Sequence, residues 1–141
     1  PQSLSTQGVD TRIAPGGSSW DGRVMGTRIV IVDDHASFRR TARALLEAEG
    51  FDVVGEATDG ATAIATIGRL RPDVVLLDVQ LPDMDGFEVA ARLGENGSSP
   101  AIVLTSSRDA GEFGTLVADC GARGFIPKAD LSAEALAALI E

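Results

Sequence analysis

Val74-Val75-Leu76-Leu77-Asp78 is the stretch whose reading decides the fold. Four aliphatic residues run without polar alternation and end on an acid, as in a parallel strand covered on both faces. A second run, Ile29-Val30-Ile31-Val32, ends on the pair Asp33-Asp34. Open α/β sheets bind ligands just beyond the carboxyl ends of their strands, so three carboxylates are expected on one rim. Two more polar groups end later apolar segments: Thr105 follows Ala101-Ile102-Val103-Leu104, and Lys128 follows Phe125-Ile126-Pro127. Hard oxygen ligands, a hydroxyl and a cation together suit Mg²⁺-assisted handling of a phosphoryl group.

Outward from these runs, β-type and helical patterns alternate from Thr27 onward, the signature of βα units and a parallel sheet. Strands are expected near 28–33, 52–57, 74–78, 101–105 and 123–126, with helices near 36–49, 60–70, 86–94, 109–120 and 131–141. The first helix gathers Phe38, Ala42, Leu45 and Leu46 on one face and leaves Arg39, Arg40, Arg43 and Glu47 for water; Gly50 stops it. The second opens at Asp59-Gly60, carries Ile64, Ile67 and Leu70 as its apolar stripe, and ends before Pro72. Ser132 caps the last helix. Five βα units with right-handed crossovers make an α/β, doubly wound sheet.

At 141 residues and 44% hydrophobic content, the chain can bury one good core. The 21 acidic and 12 basic residues give a formal charge of −9, which argues against direct binding to a phosphate backbone. One cysteine, Cys120, excludes an internal disulfide, and with the single histidine, His35, it cannot build a zinc site. With no long apolar run and no secretory pattern, a cytoplasmic protein without membrane contact is expected. Residues 1–26, rich in Gly, Ser, Thr and Gln, read as a flexible leader in which Trp20 is incidental. The chain starts at Pro1 rather than at a methionine, as a fragment or processed product would, and Met25 is an alternative start.

Crowding carboxylates is costly, since two unit charges ~4 Å apart repel by about 4 kcal/mol at an effective dielectric of 20. A divalent cation relieves this. Mg²⁺ uses one or two carboxylates together with a phosphate, so Asp34 and Asp78 are candidates to hold it, with Asp33 acting directly or through water. The plainer alternative is that Asp33 and Asp34 only end a strand and cap the next helix. His35 either lines the site or, the reading preferred, is a first-turn helix residue, and Cys120 reads as a small core hydrophobe.

With these residues in place, 27–141 resembles the receiver domain of two-component response regulators (CheY-like). Ile31-Val32-Asp33-Asp34-His35 is similar to the family's acidic metal-binding string, and Asp78 matches its phosphoacceptor. Thr105 and Lys128 match the hydroxyl and lysine that follow the fourth and fifth strands. Leu81-Pro82-Asp83-Met84-Asp85-Gly86 resembles the turn after the phosphoacceptor, and Gly121-Ala122-Arg123-Gly124-Phe125 looks most like the NarL/FixJ type. The resemblance implies a flavodoxin-like (βα)5 parallel sheet in the order 2-1-3-4-5 with helices on both faces. It further implies Mg²⁺ held by Asp33, Asp34, Asp78 and the backbone carbonyl of Gln80, and transfer from a sensor histidine kinase to Asp78. Thr105, Lys128 and Phe125 would then switch the surface formed by the fourth helix, fifth strand and fifth helix. The expected role is a self-catalysing signalling phosphoacceptor rather than an enzyme. It would dimerise on phosphorylation and reach DNA only through an effector domain absent from this chain, or else work as a stand-alone phosphorelay receiver. Family members often carry a cis proline after the lysine; Ala129 stands there, and Pro127 before the lysine fits an edge strand.

Three rivals are weighed against this. A haloacid-dehalogenase-like phosphatase wants a second acid two places after its nucleophile, where Gln80 stands. A flavodoxin-like carrier wants a Ser/Thr/Gly-rich loop where Asp33-Asp34 would repel a flavin phosphate. A receiver-like interaction module that no longer takes phosphate would keep the fold but not all five key side chains.

Overall fold

The computed structural model describes residues 25–97, 100–107, 113 and 115–140; the expected leader and Trp20 lie outside the described residues. Five strands, β1 (Arg28–Val32), β2 (Asp52–Ala57), β3 (Val74–Asp78), β4 (Ala101–Ser106) and β5 (Gly124–Pro127), pair in parallel in the order β2-β1-β3-β4-β5. Between and after them come α1 (Ala36–Ala48), α2 (Gly60–Leu70), α3 (Gly86–Glu95), α4 (Leu116–Asp119) and α5 (Ala133–Ile140). The fourth helix was expected over 109–120; residues 108–112 and 114 lie outside the described residues, and its described part is the single turn Leu116–Asp119.

The apolar runs are continuous because both sheet faces are covered. Ile29 and Ile31 of β1, Val74 and Leu76 of β3, and Val103 of β4 pack with Ala42 and Leu46 of α1 and Leu136 of α5. Their alternates, Val30, Val32, Val75, Leu77, Ile102 and Leu104, pack with Ile67 of α2 and Val89 and Leu93 of α3. Each successive side chain crosses to the opposite face, so a run with no polar member is what a two-sided core demands.

Local chemistry sets the helix ends. Asp59 and Asp85 cap α2 and α3 by accepting the N–H groups of Thr62 (2.7 Å) and Glu88 (2.8 Å), and Ser132 Oγ accepts from Ala135 N (3.0 Å). α1 stops where Gly50 takes φ +107°, a left-handed value that a side chain disfavours. α2 stops at Arg71, itself left-handed, in front of Pro72. Pro127 lies on β5, an edge strand, where a missing N–H is tolerated. At the start of the fold, Gly26 N donates to the Gly50 carbonyl (2.8 Å).

One irregularity shapes the region near the rim. Ile29 pairs with Val53 but Val30 pairs with Gly55, so Val54 is an extra residue in β2. Such a bulge inverts the facing of everything downstream. Val53 packs on the α1–α5 side, and after the bulge Glu56 reaches that same side.

Candidate functional site: an acidic rim closed by a lysine

Strand alternation places Asp33, Asp78 and Thr105 in step with Ile31, Leu76 and Val103, all at carboxyl ends of strands. Asp78 ends β3 and pairs with Thr105 in β4, whose carbonyl accepts from Val79 N at 2.9 Å. Oxygens of Asp33, Asp34 and Asp78 and a ring nitrogen of His35 all lie within 4.8 Å of one another. Asp33 is fully buried and Asp78 nearly so, while Asp34 is 37% exposed. The three acids therefore do converge, with one side open to solvent.

Lys128 closes the rim. Its Nζ lies 2.7 Å from Asp33 Oδ2, 3.4 Å from Asp78 Oδ2 and 4.6 Å from the centre of the Phe38 ring. The lysine begins a 3-10 turn (Lys128–Asp130) just after β5, and no peptide among the described residues is cis. Phe38, expected on the core face of α1, packs there and also offers its ring to the ammonium.

The loop behind Asp78 is held tightly. Gln80 N donates to Asp78 Oδ1 at 3.2 Å and Gly86 N to the Val79 carbonyl at 2.7 Å. A Cβ on Gly86 would come within 2.6 Å of the Asp78 carbonyl oxygen, so only glycine lets α3 start this close to the acid. Asp83 accepts from Gly60 N (2.7 Å) and Ala61 N (3.0 Å), tying the loop to the start of α2; those bonds hold its carboxyl below the usual range.

Burial first, and then the charge of Asp33, push Asp78 up to about 6, against the opposing pull of Gln80 N–H and Lys128. Among the described residues, Thr105 Oγ1 is buried and makes no hydrogen bond, and Asp33 Oδ2 has only its ion pair with Lys128. Under-satisfied buried oxygens beside mutually repelling carboxylates suit a hard divalent cation and a phosphoryl group.

Two sequence readings need correction. His35 is the N-cap of α1 rather than a first-turn residue, and it makes no side-chain capping bond. Its Nδ1 turns back to Asp33 Oδ1 (3.1 Å) and Asp34 Oδ1 (3.2 Å), so it lines the cluster, as the less favoured of its two sequence readings has it. Arg39, assigned to water, is 16% exposed and bonds Glu56 Oε1 (2.9 Å) and the Asp33 carbonyl (2.6 Å). Its partner on β2 faces α1 only because of the bulge, which no periodicity in the sequence announces. Arg43 joins it on Glu56, while Arg40 is exposed as expected. Asp33 does not cap α1; its Oδ1 accepts from His35 N at 2.8 Å.

Phe125 stands apart from the acids. It packs on the α2–α3 side of the sheet, its ring 5.4 Å from Phe113, which in turn lies 5.6 Å from Phe87. Gln80 and Ser107 are exposed at the rim. Cys120 is half-buried in the same apolar cluster as Phe125, as its reading as a small hydrophobe requires.

A family profile described as the response regulator receiver domain matches residues 29–141. Over 104 residues the chain is 34% identical to BvgA of Bordetella pertussis, whose name describes a positive transcription regulator of virulence factors; the match spans 74% of this chain and 50% of BvgA. Over 114 residues it is 39% identical to a protein-glutamate methylesterase/protein-glutamine glutaminase of Alkalilimnicola ehrlichii, covering 78% of this chain and 29% of that protein. The chain thus spans half or less of the length of these two relatives. Among solved structures, the signal receiver domain of NarL from Mycobacterium tuberculosis superposes with a TM-score of 0.76 at 34% identity, covering 82% of this chain and 97% of that one. A LuxR-family two-component response regulator from Aurantimonas superposes with a TM-score of 0.75 at 28% identity, covering 82% and 85%.

Proposed function

Because this chain belongs to the response regulator receiver domain family, we propose that Asp78 is its phosphoacceptor and that Asp33, Asp34, Asp78 and the Gln80 carbonyl hold Mg²⁺. The observation that carries this reading is the convergence of three carboxylates and Lys128 on one strand-end rim. When bound, the cation supplies charge neutralisation on the transferring phosphoryl group.

A carboxylate oxygen of Asp78 attacks phosphorus; the P–N bond of a donor phosphohistidine breaks as the new O–P bond forms, and the electron pair leaves with the imidazole. Gln80 N–H orients the Asp78 carboxylate by holding its Oδ1, and Lys128 stands ready for the equatorial oxygens. Thr105 offers the new phosphoryl group a buried hydroxyl with no competing partner among the described residues. A phosphoryl group brings roughly −1.5 to −2 charge, enough to draw that hydroxyl and the lysine towards it. Phe125, half-buried beside Phe113 on the other face, then reports the change at the β5 surface.

Residues 27–141 form the receiver unit, and 1–26 a leader outside it. The donor is a sensor histidine kinase in the cytoplasm, and the output is transcriptional, through a separate effector domain and phosphorylation-driven pairing of receivers. Among the described residues, no helix is long and apolar enough to cross a membrane. The activity is self-catalysed phosphotransfer and dephosphorylation rather than turnover of a separate substrate.

Incubation with acetyl phosphate, with and without Mg²⁺, followed by intact-mass measurement tests the reading. One phosphoryl group is expected on the wild type with Mg²⁺ and none on Asp78→Asn. A chain that stays unmodified under both conditions refutes it.

A further inference from the structure

The backbone of Asp33 is held on both sides, and the peptide that joins it to Asp34 is gripped at its carbonyl. Asp33 N donates to the Ala57 carbonyl of β2 at 3.0 Å, and the Asp33 carbonyl accepts Nη1 of Arg39 at 2.6 Å. The same guanidinium gives its Nε to Glu56 Oε1 at 2.9 Å. Glu56 is available there because the extra residue Val54 brings it round to the α1 side of the sheet. Burial works against the ionised Glu56, yet the hydrogen bonds from Arg43 and Arg39 outweigh it and keep its carboxyl below the usual range. Arg39 is thus a planar fork anchored on a charged partner, with its other arm on the peptide that joins two acids of the rim.

We propose that Arg39, braced by Glu56, is a positioning residue for the divalent cation: it fixes the Asp33–Asp34 peptide plane so that the two carboxylates converge on one point. The inference rests on the Mg²⁺ reading above. Its direction is diagnostic, because by charge alone a guanidinium this close to the acids opposes a second cation, and deleting it would tighten Mg²⁺ binding. Positioning demands the reverse. Groups that orient metal ligands typically contribute about 10- to 100-fold in affinity.

Titration calorimetry with MgCl₂ on the full chain distinguishes the two. Arg39→Met should bind Mg²⁺ at least about tenfold more weakly than wild type. Arg39→Lys, which keeps the charge but cannot serve Glu56 and the carbonyl with one fork, should fall between them, and it decides the matter if Arg39→Met does not fold. Glu47→Gln, on the outer pair with Arg43, should bind as wild type does. The stabilisation that Mg²⁺ gives in thermal melts should shrink in Arg39→Met, whereas a merely structural role lowers the melting temperature equally with and without the ion. Equal or tighter Mg²⁺ binding by the arginine variants overturns the positioning role alone. A wild type that binds no Mg²⁺ at millimolar concentration overturns the metal reading, and this role with it.

Discussion

Lys128 Nζ lies closer to Asp33 Oδ2, at 2.7 Å, than to Asp78 Oδ2, at 3.4 Å. The lysine therefore neutralises first the fully buried acid at the end of β1, and only secondarily the proposed phosphoacceptor. On the proposed function, an ammonium placed there would compete with a divalent cation for Asp33 until phosphoryl oxygens arrive. Lys128→Met is expected to bind Mg²⁺ roughly threefold or more tightly, because one local positive charge is gone. The same variant should accept phosphate from acetyl phosphate about 10²-fold more slowly, because the developing charge loses its donor. Calorimetry and phosphorylation kinetics on one preparation check both.

Asp78 gives a pH signature. Its carboxyl is raised from 3.8 to about 6 in the folded chain, so between those values the native state holds a proton that the unfolded chain has released. Stability therefore falls as pH rises through that window and stays lower above it. Asp78→Asn removes the penalty and should be more stable than wild type above pH ~7 by on the order of 1–3 kcal/mol, with the difference vanishing near pH 4. Urea unfolding in the presence of a chelator, across that pH range, measures it.

Asp83 fastens the loop after Asp78 to α2 through the N–H groups of Gly60 and Ala61. Asp83→Ala should raise hydrogen exchange at those two amides by roughly tenfold or more while leaving the β3 amides protected. Exchange followed by NMR is the check.

Phe113 packs its ring at a tilt against both Phe87 and Phe125, joining α3 to β5. A double-mutant cycle between Phe113→Leu and Phe125→Leu should show a coupling of about 0.5–1.5 kcal/mol, the range for tilted aromatic pairs. Denaturant unfolding of the four proteins measures it.

The fold was legible because its strands advertise themselves. Val74–Leu77 and Ile29–Val32 carry no polar residue, and a helical layer covers each of their two faces. The rim was legible for the same reason, since Asp33, Asp78, Thr105 and Lys128 each stand directly after or at the end of such a run. What escaped was whatever depends on side chains meeting across elements. Arg39 on α1 looked solvated because its partner Glu56 lies 17 residues away and behind a bulge that reverses the facing of β2. Of the two readings of His35, helix position was preferred over lining the acids, yet its ring turns back to them instead of following the helix. Lys128 was placed at the rim by sequence order, but its preference for Asp33 over Asp78 is set by distances that no spacing encodes.

The central claim is that one oxygen of Asp78, and of no other acid on the rim, receives the phosphoryl group. The direct measurement is to treat the phosphorylated protein with borohydride, which reduces an acyl phosphate to the alcohol, and to locate the resulting homoserine by tandem mass spectrometry of peptides. Reduction confined to position 78 is the predicted result. Homoserine at position 33, 34 or 83, or none anywhere after phosphate uptake, would contradict the account.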